Sequence, residues 1–83
     1  MRITFKLYAG LGDYLPVGSR DNSISTEIEP GASAHTVLQH FNVPRERAHL
    51  MLLNGVYLNA SERDSRALQE EDVLAVWPPV AGG

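Results

Sequence analysis

The sequence predicts an α+β domain: a mixed sheet of four to five strands, one main helix packed on it, and a flexible Gly-Gly tail at the C-terminus. Three observations carry this expectation. Apolar and polar residues alternate over residues 2–8 and 24–29, the period of half-buried strands. A single short stretch carries apolar residues at helical spacing. The final residues, Pro78-Pro79-Val80-Ala81-Gly82-Gly83, continue no such pattern.

The elements follow in order. From Arg2 to Tyr8, Ile3, Phe5 and Leu7 point one way and Thr4, Lys6 and Tyr8 the other, which predicts a strand with one buried face. Residues 9–22 contain Gly10, Gly12, Pro16, Gly18, Asp21 and Asn22 and read as a loop, with Leu11, Tyr14, Leu15 and Val17 available to pin it. Ile24, Thr26 and Ile28 share one face of a second strand, which Pro30-Gly31 stops. Ser33 is a suitable helix N-cap. Ala34, Val37, Leu38 and Phe41 then form an apolar stripe, with His35, Thr36, Gln39 and His40 outside, and the helix is expected to end near Phe41-Asn42. Asn54-Gly55 supplies the positive φ angles of a two-residue type I′ turn. The hairpin of residues 49–59 should therefore set Leu53 opposite Val56, Leu52 opposite Tyr57 and Met51 opposite Leu58. Residues 61–72 are polar and acidic, with Ala67-Leu68 as an anchor. Val73 to Trp77 is a short apolar strand. The predicted division is a domain over 1–77 and an extended tail over 78–83.

Composition narrows the function classes. The 83 residues suffice for one small domain, and 43% apolar with 20% charged residues is ordinary for a globular chain. No apolar run reaches the roughly 20 residues of a membrane span, and the N-terminus lacks a signal-peptide pattern, so a cytoplasmic protein without a membrane partner is expected. With no cysteine there is no disulfide, thiolate metal site or cysteine nucleophile. Seven basic against ten acidic residues give a net charge of −3, the wrong balance for a nucleic-acid binder. His35, His40 and His49 show no metal-ligand spacing, and no metal is expected. Gly10-Leu11-Gly12 opens no helix and carries no nucleotide signal. A domain this small has little room for a catalytic cleft, which favours a carrier or binding module.

Two hairpin strands, a crossover helix and a last strand lying parallel beside the first form the β-grasp arrangement. Its order here, with Asn54-Gly55 and the closing Trp77-Pro78-Pro79-Val80-Ala81-Gly82-Gly83, resembles the MoaD/ThiS family of ubiquitin-like sulfur carriers over essentially the whole chain, and most nearly its molybdopterin synthase small subunits. Two features differ from that branch: Trp77 stands where Phe is common, and no Arg-Glu pattern follows Tyr8-Ala9.

Physical chemistry and the resemblance meet in the tail. Pro78 and Pro79 end the ladder because they cannot donate to it. Six extended residues reach on the order of 20 Å, and Gly82 and Gly83 fit a narrow channel. The resemblance implies that an E1-like adenylating enzyme uses ATP to activate the Gly83 carboxylate, and that a persulfide donor protein converts it to a thiocarboxylate. The thiocarboxylate would then serve the molybdopterin synthase large subunit or an equivalent. This chain would bind no cofactor of its own.

The sheet face away from the helix is the candidate docking surface. It is expected to collect Tyr8, Leu52, Tyr57 and Trp77, with Val73 and Ala75 also outward, while Met51, Leu53, Val56, Leu58, Leu74 and Val76 face the helix. That outward set is apolar enough to mark a binding site, and the resemblance assigns partner contacts to Tyr8, Tyr57 and Trp77. Three other readings stay open: a sulfur carrier for thiamine or another thio-metabolite, a ubiquitin-like modifier of lysines, and an interaction module with an inert tail.

Overall fold

A computed structural model describes residues 1–79. The strands are β1 (Arg2–Leu7), β2 (Ser23–Glu27), β3 (Leu50–Leu53), β4 (Val56–Tyr57) and β5 (Val73–Trp77); the helices are α1 (Ala34–His40) and the single-turn α2 (Glu62–Ser65). They build a five-stranded sheet in the order β2-β1-β5-β3-β4. β1 and β5 run parallel, and every other pair is antiparallel. Among the described residues no helix is long and apolar enough to cross a membrane.

The period-2 pattern of β1 becomes its packing. Ile3, Phe5 and Leu7 are buried, while Arg2, Thr4 and Lys6 lie on the other side. Met51, Leu53, Leu58, Leu74 and Val76 join them beneath α1, which contributes Ala34, Val37 and Leu38. Phe41, the C-cap of α1, packs its ring 5.0 Å from that of Phe5. Ser33 caps α1: its hydroxyl accepts from the Thr36 N–H, and the Thr36 hydroxyl accepts from the Ser33 N–H at 3.1 Å. Asn42, next along the chain, takes a φ of 59°, the left-handed conformation that ends helices.

The hairpin has the expected register, with Leu52 opposite Tyr57 and Leu53 opposite Val56. Asn54 and Gly55 both have positive φ, 53° and 82°, as the tight turn requires. One expected inward residue is not buried: Val56 is 66% exposed. Its strand is only two residues long and forms the sheet edge, beyond the cover of α1. Leu53 opposite it is buried because β5 flanks it on the other side.

The loop of residues 9–22 is more ordered than its glycines suggest. Ala9–Tyr14 forms 3₁₀ turns that sink Leu11 into the core, and Tyr14 and Leu15 pack against it, whereas Val17 is fully exposed and pins nothing. A second two-residue turn comes next. Asp21 and Asn22 have φ of 49° and 63°, and Arg20 and Ser23 exchange backbone hydrogen bonds of 3.0 and 2.8 Å around them. Asp and Asn tolerate the left-handed region, so this hairpin forms without glycine. In the acidic stretch, Leu68 is the anchor, bonding its N–H to Ala32 O at 2.8 Å, while Ala67 is exposed.

Candidate functional site

With α1 covering one side of the sheet, the alternate residues of each strand form the opposite side, and register sets their rows. Lys6 stands beside Ala75, Ala75 beside Leu52, and Leu52 beside Tyr57. In the adjoining row Leu50 pairs with Trp77. The Trp77 indole stacks on the Tyr8 ring, centroids 4.5 Å apart and planes within 7°. Such pairs contribute about 0.5–1.5 kcal/mol beyond their buried area.

All four expected docking residues, Tyr8, Leu52, Tyr57 and Trp77, therefore share this face. Tyr57 is 57% exposed, and the other three are half-buried. Leu50, at 36% exposed, belongs with them and escaped the sequence reading. Its signal was present, since Leu50 and Leu52 share one parity and the buried Met51 and Leu53 the other. Ala75 lies on this face but is only 8% exposed, because its methyl sits below the longer side chains of the neighbouring strands. Val73, expected outward, is half-buried. Lys6, the only lysine in the sequence, adds one cation and pairs with no carboxylate among the described residues.

The root of the tail lies beside the Tyr8–Trp77 stack. β5 ends at Trp77, whose carbonyl accepts from the His49 N–H at 2.9 Å. Pro78 is half-buried and Pro79 exposed, and neither has an N–H to give. The remaining expected tail residues, Val80, Ala81, Gly82 and Gly83, the last of them the expected reactive end, lie outside the described residues.

The carboxylates of the acidic stretch are held by separate partners. Asp72 accepts from Asn54 Nδ2 and from the Gln69 N–H, each at 2.8 Å, and Glu70 accepts from the Arg2 N–H. Asp64 accepts from His35 Nδ1 at 2.8 Å and lies 3.5 Å from Arg45. That hydrogen bond, aided by the neighbouring charges, holds the Asp64 carboxyl below its usual range. His35, expected outside, is turned against α2 by this contact. His40 Nε2 meets Glu29 at 3.2 Å, and this hydrogen bond lowers the Glu29 pKa in the same way. Among the described residues, no group of three or more His, Asp or Glu side chains is placed to hold a metal ion. A shallow depression of about 400 Å³, lined in part by His35, Asn42, Pro44 and Arg45, lies at the end of α1 and not on the apolar sheet face.

Comparison with known proteins places this geometry. The ThiS family profile matches residues 19–83, most of the chain. The chain belongs to the ThiS family. No curated protein matches it significantly. Solved structures share the ThiS-family chain's fold. The HVO 2177 protein of Haloferax volcanii is 24% identical, with all of this chain and 87% of that one covered and a TM-score of 0.77. SAMP1 from Haloferax volcanii is 22% identical with both chains fully covered and a TM-score of 0.68. A chain in the complex of subunits 1 and 2 of the molybdopterin-converting factor from Helicobacter pylori is 16% identical, again with full coverage of both and a TM-score of 0.60. The fold is the ubiquitin-like β-grasp, a mixed sheet of five strands with one main helix.

Proposed function

We propose that this chain is a sulfur carrier whose reactive group is the Gly83 carboxylate, and that it supplies sulfur for molybdopterin synthesis. The observation that carries the reading is the way the central strand ends. β5 stops at Trp77, beside an apolar face on the side of the sheet away from the helix, and the chain continues as Pro-Pro-Val-Ala-Gly-Gly. Membership of the ThiS family supports carriage of sulfur, and the likeness to a molybdopterin-converting factor chain solved with its second subunit supports a larger synthase subunit as partner.

A carboxylate is a poor electrophile. An E1-like adenylating enzyme joins the Gly83 carboxylate to AMP from ATP, releasing pyrophosphate. The terminal sulfur of a protein persulfide then attacks the acyl carbon and displaces AMP, leaving an acyl disulfide. A thiol reduces that disulfide and frees the thiocarboxylate, which is nucleophilic enough to attack a pterin precursor. ATP binds the adenylating enzyme and not this chain, and the reaction takes place in the cytoplasm. The chain's contribution is delivery: Tyr8, Leu50, Leu52, Tyr57 and Trp77 dock, and residues 78–83 carry the reacting carbon into the partner's pocket. Holding a reactant in place is itself a large part of the rate.

The absence of cysteine makes the test direct. The purified chain is incubated with a cell extract, ATP and a sulfur source, then with a thiol-reactive probe. ATP-dependent label on Gly83, lost when Gly83 is deleted, is the expected result. An extract that labels a known carrier but leaves this chain bare would overturn the reading. Purified synthase large subunit and its pterin precursor, added before the probe, should abolish the labelling if molybdopterin synthesis is the destination.

A further inference from the structure

The guanidinium of Arg63 makes three hydrogen bonds, all to backbone carbonyls. Nε donates to Leu58 O at 3.1 Å, Nη1 to Ala48 O at 3.0 Å and Nη2 to His49 O at 3.1 Å. From α2 it therefore grips both arms of the β3–β4 hairpin, just before β3 begins and just after β4 ends. One of the gripped groups has a second partner. The Ala48 carbonyl and the His49 N–H belong to one peptide unit, and that N–H donates to Trp77 O at 2.9 Å. The result is a continuous line from the Arg63 cation through one peptide to the carbonyl of the last β5 residue.

The position of this line is unusual. The register of β3 and β5 pairs Leu50 with Trp77, so a bond from His49 is one residue off register. Two residues of the β3 segment therefore face one of β5. An offset of this kind bends the strand that carries the extra residue, here the approach to β3, and ends regular pairing at Trp77. Here the Trp77 carbonyl carries the most C-terminal backbone hydrogen bond among the described residues, and Pro78 and Pro79 can add no donor after it. A cation at the far end of a peptide polarises it and strengthens the bond that its N–H makes.

We propose that Arg63 is a positioning residue for the reactive tail: by clamping the Ala48–His49 peptide it fixes the direction in which the chain leaves Trp77. The proposal rests on the reading of Gly83 as the activated end. Arg63 itself lies on α2, and its three hydrogen bonds go to backbone carbonyls and not to the outer-face side chains, so its expected effect is on aim. Lysine cannot replace it, because an ammonium lacks the planar fork that reaches carbonyls on both hairpin arms.

The test uses the full chain and the adenylating enzyme of its source organism, with ATP–pyrophosphate exchange as the readout. Arg63→Lys and Arg63→Met should lower kcat about tenfold with KM changed less than twofold, and millimolar guanidinium should restore part of the rate to Arg63→Ala. Amide hydrogen exchange should show the His49 N–H opening at least tenfold faster in Arg63→Lys, while core amides such as Phe5 keep their protection. A variant with unchanged kcat, or one whose KM alone rises, overturns the proposal, as does an unchanged His49 amide. If Arg63→Met fails to fold, Arg63→Lys and the His49 exchange rate decide the matter. Failure of the activation reading looks different: the unaltered chain then gives no exchange above that of the Gly83 deletion. In that case the positioning claim falls if Arg63→Lys leaves the His49 and Trp77 amide resonances where they were.

Discussion

Trp77 does two things at once. Its ring stacks on Tyr8 to build part of the outer face, and its carbonyl takes the final ladder bond before the prolines. Replacing it with alanine should cost about 2 kcal/mol of partner affinity, the size of a binding hot spot. Titration calorimetry with the large subunit would measure this, and unchanged affinity would remove Trp77 from the interface. At His35 the expected effect is electrostatic. Its hydrogen bond depresses the Asp64 pKa below the ordinary 3.8. A depressed carboxylate stabilises the fold above its unfolded pKa, and that contribution is lost as pH falls through the depressed value. His35→Gln should therefore move the Asp64 midpoint upward in a carboxyl NMR titration. The titration of Glu29 would stay where it is, because His40 remains its partner.

Elements differ in how plainly the sequence announces them. β1 was legible because three apolar residues alternate without interruption, and the β3–β4 turn because Asn54-Gly55 tolerates two positive φ angles in a row. The Asp21-Asn22 turn uses the same geometry without glycine, and the glycines and proline around it point to a featureless loop. α2 was illegible for another reason. Four residues carry too little periodicity to register, and this turn is held by side chains reaching distant partners, Arg63 to three carbonyls and Asp64 to His35. Val56 is exposed, against the expectation from parity, because parity gives the face of a strand but not how far the covering helix extends. For α1, seven residues are too few to be stable alone, so its capping box should weigh on the whole domain. Ser33→Ala should cost about 1 kcal/mol in urea unfolding. A loss within error would mean that tertiary packing alone fixes the helix start.

For the molecule as a whole, the membership of the apolar outer face was largely readable. Tyr8, Leu52, Tyr57 and Trp77 come together as their alternation implies, and only the membership of Leu50 and the recessed position of Ala75 needed coordinates. The off-register bond at Trp77 was beyond any reading of the sequence, since it depends on where three separated segments meet. The sheet also separates two kinds of truncation. Removing residues 78–83 takes away no described residue of the sheet or buried core, so the melting temperature should hold within about two degrees of the full chain while sulfur transfer is abolished. Removing residues 73–83 deletes Leu74 and Val76 from the core and should leave no cooperative transition in calorimetry.

Among the described residues β5 is the last strand in sequence and the middle strand in space, bonded to β1 on one side and β3 on the other. During synthesis, then, the two halves of the sheet have nothing between them until residues 73–77 leave the ribosome. A sheet that depends on so distant a pairing closes late. The nascent chain cannot present the finished apolar face before β5 has been made. A product terminated before β5 lacks that face and is exposed to proteolysis. Closing the sheet and completing its outer surface thus become nearly the same event.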